Sequence, residues 1–117
     1  MTANGFCVKL YVAAKTFDDA EKQCQKDGGH VIDIDSELKH GDVKTNLKGL
    51  GKHAFIDGRR KDSSSPWLLV NGSQKEFFSW YSGQPDSDSC LYIHHTYLLF
   101  CDHPCTARFS FLCEIVG

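Results

Sequence analysis

The chain has 117 residues, room for one domain with a modest core that cross-links would help to hold. Its 13 Lys and Arg against 15 Asp and Glu give a net charge of −2 with no long run of either sign, which argues against nucleic acid and anionic membrane as partners. No apolar stretch approaches the ~20 residues of a membrane span, and Met1 is not followed by a signal-peptide core, the pattern of a mature or excised segment.

In chain order, residues 6–12 alternate as a strand, with Cys7, Lys9 and Tyr11 on one side and Phe6, Val8, Leu10 and Val12 on the other. Thr16 then caps a helix. Asp18 and Asp19 lie in its first turn, where the helix dipole favours anions, and Phe17, Ala20 and Cys24 share a face that points Cys24 into the core before Gly28 and Gly29 end it. A short apolar run at Val31, Ile32 and Ile34 follows. Asp35 or Ser36 then caps a second helix expected to bury Leu38, Val43, Leu47 and Leu50, with Gly41 as a weak point inside it.

Residues 54–58 form a short buried strand, and 59–66, rich in charge and serine, read as a solvated loop. Asn71-Gly72 marks a turn and, with Ser73, an N-glycosylation acceptor triplet. Beyond it the pattern is β: 77–80, 91–95, 97–100 and 109–116, separated by Gly, Pro, Ser and Asp clusters. Trp67, Phe78, Trp80, Phe109 and Phe111 read as core. Helices first and strands last is the α+β order, with helices segregated from an antiparallel sheet.

Six cysteines, at 7, 24, 90, 101, 105 and 113, are dense for this length, and their scattered spacing reads as a disulfide framework, which places the chain outside the cytosol. The rival is a metal site at Cys101, His103 and Cys105, but no second pair has zinc-finger or ribbon spacing. Asp57, Asp62 and six histidines offer acids and bases, yet there is no nucleophile motif, metalloprotease helix or phosphate loop, so the chain is not read as an enzyme. His94 and His95 straddle the two faces of a strand, one covered and one wet.

The segments Cys7-Val8-Lys9-Leu10-Tyr11, Gly29-His30-Val31, Ala54-Phe55-Ile56-Asp57-Gly58, Phe78-Ser79-Trp80, Gly83-Gln84-Pro85-Asp86, Asp88-Ser89-Cys90, Phe100-Cys101-Asp102 and Phe111-Leu112-Cys113-Glu114 follow in order the pattern of the animal C-type lectin-like domain. The resemblance covers residues 1–117 as one domain, and the Asp57-Gly58 ending resembles secreted invertebrate members. It implies an α+β fold of two helices packed on antiparallel sheets, with a stapled long loop region. It also implies bridges Cys24–Cys113 and Cys90–Cys105, leaving Cys7 and Cys101 free or intermolecular, the latter as a route to a homodimer.

The same resemblance implies a site. A hard cation such as Ca2+ needs six to eight oxygens, and Gln84, Asp86, Asp88 and Asp102 are the candidates to supply them. In the family the Gln-Pro-Asp triplet, with a cis bond before Pro85, accompanies galactose-type preference. Tyr81, Tyr92, His94 and Tyr97 are candidates to stack on the sugar, with Gln84, Asp86 and Asp102 bonding its hydroxyls. Two departures count against the metal: Cys101 stands where the family has an Asn ligand, and sulfur is a poor donor to a hard cation; only Ser87 separates Asp86 from Asp88. The expectation is a secreted carbohydrate-binding module, Ca2+-assisted and galactose-type if the metal site survives. The alternative is a metal-free protein-recognition domain using the same loop surface.

Overall fold

A computed structural model describes residues 2 and 4–115. The strand forecast over 6–12 is realised as β1 (Val8–Lys15), and the last, β6, spans Phe109–Ile115; Val116 lies outside the described residues. The two pair antiparallel, with Val8 opposite Glu114 and Tyr11 opposite Phe111. The opposite edge of β6 is shared by β2 (Gly29–Val31), antiparallel, and β3 (Ala54–Arg59), parallel. The sheet then continues through β4 (Cys90–Ile93) to β5 (Phe100–His103), both antiparallel. The sheet is antiparallel as expected except for the one parallel pair, β3 with β6. The parallel pair arises because a long crossover separates β3 from β6.

Helix α1 (Phe17–Lys26) starts where Thr16 accepts a hydrogen bond from the Asp19 N–H, and buries Phe17, Ala20 and Cys24. Its Cys24 is bonded to Cys113 on β6, a closure spanning 89 residues. In the chain-entropy account such a loop contributes up to about 4.6 kcal/mol. Gly29, just after the helix, has no room for a side chain: a Cβ there would lie 1.9 Å from the Glu114 carbonyl oxygen. That close approach is what lets β2 join β6.

Helix α2 (Glu37–Leu47) is capped by Ser36, whose hydroxyl accepts from the Lys39 N–H. Its buried face is Lys39, His40, Asp42, Val43 and Leu47, whereas Leu38 is 58% exposed, and Leu50, beyond the helix end, is 46% exposed. The apolar forecast erred because Leu38 lies five residues before Val43, roughly 140° away around the helix. Lys39 takes that place in the interior by pairing its Nζ with Glu114 at 2.5 Å.

Alternation along β3 and β6 separates two cores. Phe55 and Phe111 pack with Phe17, Ala20 and Cys24 beneath α1, while Ile56 and Leu112 pack with Ile34, Val43 and Leu47 beneath α2. The aromatic run 77–80 does not form the forecast strand: among the described residues its ladder contact is Trp80 with Phe100, and Phe77, Phe78 and Trp80 all pack on the α2-side core. Three large side chains seeking the same cover cannot alternate. Tyr97 likewise sits in a turn before β5, where Leu98 adopts φ 54 and its carbonyl oxygen is held by His40 Nε2 at 2.8 Å. A left-handed leucine costs on the order of 1 kcal/mol or more, so the buried His40 contact is part of what holds this hairpin.

Candidate functional site

The loop between residue 81 and β4 is organised by one buried carboxylate. Asp102, on β5, has a fully covered side chain and accepts three hydrogen bonds: from Arg60 Nη2 at 3.1 Å, from the Asp86 N–H at 2.9 Å and from the Asp88 N–H at 3.0 Å. Its own N–H donates to Gln84 Oε1 at 3.1 Å, and Gln84 Nε2 donates to Asp86 Oδ2 at 2.9 Å. The Gln84–Pro85 peptide is cis, as the resemblance implies. The Cys90–Cys105 bridge, closing 15 residues, fastens the base of this region.

Arg60 is the residue that sequence reasoning missed. Placed in a solvated loop by its neighbours, it is 9% exposed. Its Nε donates to the Asp88 carbonyl at 2.8 Å, Nη2 also to the Asp86 carbonyl at 3.1 Å and Nη1 to the Ser63 carbonyl at 3.4 Å, while the guanidinium lies 4.4 Å over the Trp67 ring. The signal was the period of β3 carried past its end: Arg59 faces out to Asp18, so Arg60 faces in.

These contacts test the expected Ca2+ shell. Both oxygens of Asp102 and the amide oxygen of Gln84 are taken by N–H donors, leaving the Asp86 and Asp88 carboxylates of a shell needing six to eight oxygens. An entering Ca2+ would also meet the fixed positive charge of Arg60. Gln84, Asp86, Asp88 and Asp102 are brought together as one hydrogen-bonded loop, but the set does not fit a Ca2+ ion. Cys101 adds nothing to it. Its thiol is 3% exposed, and burial pushes its pKa up despite a hydrogen bond with Tyr92.

That burial corrects only the expected route through Cys101, since a covered thiol cannot reach another chain; Cys7 is the exposed one. The rival metal set at Cys101, His103 and Cys105 is removed as well, because Cys105 is in a disulfide.

Three of the four forecast stacking residues gather beside the loop. Tyr81 lies parallel to His94 at 5.5 Å between centroids and 11°, and Tyr97 closes on both, 4.9 Å from Tyr81 and 5.3 Å from His94. The backbone joins this cluster to the triplet: the Gln84 N–H donates to the Tyr81 carbonyl, and the Tyr81 N–H to that of Phe100. Tyr97 is 56% exposed. The nearby Tyr97 hydroxyl raises the Tyr81 pKa, and burial lowers that of His94. Tyr92, the fourth, turns away to pack on His103 and Phe109, and burial raises its pKa.

A family model described as the lectin C-type domain matches residues 13–115. A galactose-binding C-type lectin isoform of Pseudechis australis is 33% identical, and a mannose-binding isoform of Oxyuranus scutellatus 30%; each alignment covers 95% of this chain and 77% of the relative. Among solved structures, a Ca2+-dependent type II antifreeze protein in its Ca2+-free form superposes with a TM-score of 0.87 at 22% identity, over 99% of this chain and 96% of that one.

Proposed function

This chain belongs to the C-type lectin domain family, a family of binding domains rather than enzymes, and we propose on that premise that it is an extracellular carbohydrate-binding module. The observation that carries the reading is the cluster of half-buried Tyr81 and His94 with exposed Tyr97, set beside a hydrogen-bonded Gln84-Pro85-Asp86 turn. Ring faces cover the apolar side of a sugar, and the outward Asp86 and Asp88 carboxylates accept from its hydroxyls. Arg60 supplies the positive charge that orders the loop, so recognition proceeds without Ca2+. Galactose is the favoured class, on the triplet and on the galactose-binding relative.

Retention on immobilised galactose and mannose tests this reading. The wild type is retained on galactose and not released by chelator, and Tyr97→Ala and Asp86→Ala each weaken retention. Release by chelator with recovery on Ca2+ addition overturns the metal-free mode. Absence of retention on any sugar of a broad panel favours the second reading, a protein-recognition domain. That alternative draws on the same loop surface, whose Asp102 and Gln84 side chains are already hydrogen-bonded within the chain.

A further inference from the structure

We infer that His53, His94 and His95 form a binding site for a borderline divalent metal ion of the Zn2+ or Cu2+ class, built from ligands other than Gln84, Asp86, Asp88 and Asp102 and sharing His94 with the aromatic cluster. Among the described residues these three are the group of His, Cys, Asp or Glu side chains whose ligand atoms all lie within 4.8 Å of one another. The fold brings them together. Ala54 on β3 is paired with Ile93 on β4, so the residues just outside that pair, His53 and His94, meet across the strands, and His95 folds back to donate its N–H to His53 Nδ1 at 3.0 Å.

The three rings form a closed triangle, with centroids 4.9 Å apart for His53 and His94, 4.5 Å for His53 and His95, and 4.5 Å for His94 and His95. A tetrahedral ion with Zn–N bonds of 2.0–2.1 Å requires nitrogens about 3.3–3.4 Å apart, so small side-chain rotations complete the set. Imidazole is a ligand suited to Zn2+ and Cu2+, and three protein nitrogens leave a fourth position open. A cavity of about 200 Å3 adjoins His53 and His95, lined also by Lys52, Arg108 and Phe109. Its two cationic side chains favour water or a small anion as the fourth ligand.

The site has a built-in competitor. His53 Nδ1 accepts from the His95 N–H, and His94 Nδ1 accepts from the Thr96 N–H at 3.1 Å, which in the metal-free chain keeps the ring protons on Nε2. A metal entering at either nitrogen displaces a proton or a backbone N–H. Binding is therefore weaker than at a closed structural site and falls as pH falls. Because His94 also stacks on Tyr81, the bound ion fixes one ring of the exposed aromatic cluster.

The test uses the untagged full chain carrying Cys7→Ser, which removes the exposed thiol as a rival ligand, titrated with Zn2+ alone by calorimetry and with Cu2+ alone by visible absorption. One ion binds per chain. His95→Gln, at an exposed position that leaves the core untouched, and His53→Gln each lose about tenfold or more in affinity, whereas His30→Gln and His103→Gln bind as the parent does. Unchanged affinity in His95→Gln, or no binding by the parent, overturns the site. Neither readout involves a sugar, so the result stands apart from the glycan reading.

Discussion

Arg60 Nη2 stands 3.1 Å from Asp102 Oδ2, with 6% and 0% of the two side chains exposed, and every other polar atom of the guanidinium's loop-facing edge is spent on backbone carbonyls of the same loop. A buried pair of this kind is weak evidence of net stabilisation, but breaking it leaves an uncompensated charge. Arg60→Met is expected to lose about 3–5 kcal/mol in urea unfolding. Asp102→Asn keeps an acceptor for one loop N–H and loses less. If the two single losses add in the double variant, the pair is not coupled and the loop is held by something else.

The same geometry predicts indifference to Ca2+. A ligand that binds only the native state stabilises it by ~2.7 kcal/mol at a hundredfold over its dissociation constant, which for a domain of this size raises Tm by roughly 5 °C or more. With Asp102 and Gln84 already satisfied, Tm in millimolar Ca2+ and in chelator should agree within about 1 °C. A shift of several degrees on Ca2+ addition shows that Arg60 yields to the ion.

The fate of the two unpaired thiols follows from burial. Cys7 is exposed, and Cys101 lies beneath Tyr92 with its thiol pKa raised. Reactivity belongs to an accessible thiolate. Alkylation of the native chain without reductant, read by mass spectrometry, is expected to label Cys7 alone, and Cys101 only after denaturation. Labelling of native Cys101 at the same rate as Cys7 contradicts the placement of β5.

What was legible in the sequence was what local chemistry dictates. Thr16 as a cap, the inward face of α1 through Cys24, and the glycine pair that ends the helix are set within a few residues of chain. The family pattern supplied the bridges Cys24–Cys113 and Cys90–Cys105, both found. The errors share a different cause. Arg60 is buried because its partner lies 42 residues away, and Lys39 because Glu114 lies 75 away. A window that sees only charge density reads such residues as surface, and so the cation that pairs with Asp102 was invisible in the sequence.

Asp57 gives the chain a pH dependence of its own. On β3 it is 4% exposed, both its oxygens accept only the Val70 N–H, and burial, with Asp33 and Glu21 adding repulsion and Lys75 opposing it, raises its pKa to about 7. The unfolded carboxyl titrates near 3.9. Between those values the native state holds the proton that the unfolded state releases, so this group makes stability fall as pH rises from about 4 to about 7, by up to about 4 kcal/mol. His53, its pKa lowered to about 4 by burial from an ordinary value of 6.5, contributes a slope of the opposite sign over most of that range. The wild-type curve alone therefore shows a difference of the two, and the variant isolates one. Asp57→Asn keeps an acceptor for Val70 and cannot ionise, so urea unfolding should find it more stable than wild type at pH 8, with the advantage shrinking towards pH 4. An advantage that does not change with pH would mean that Asp57 is charged in the folded chain throughout.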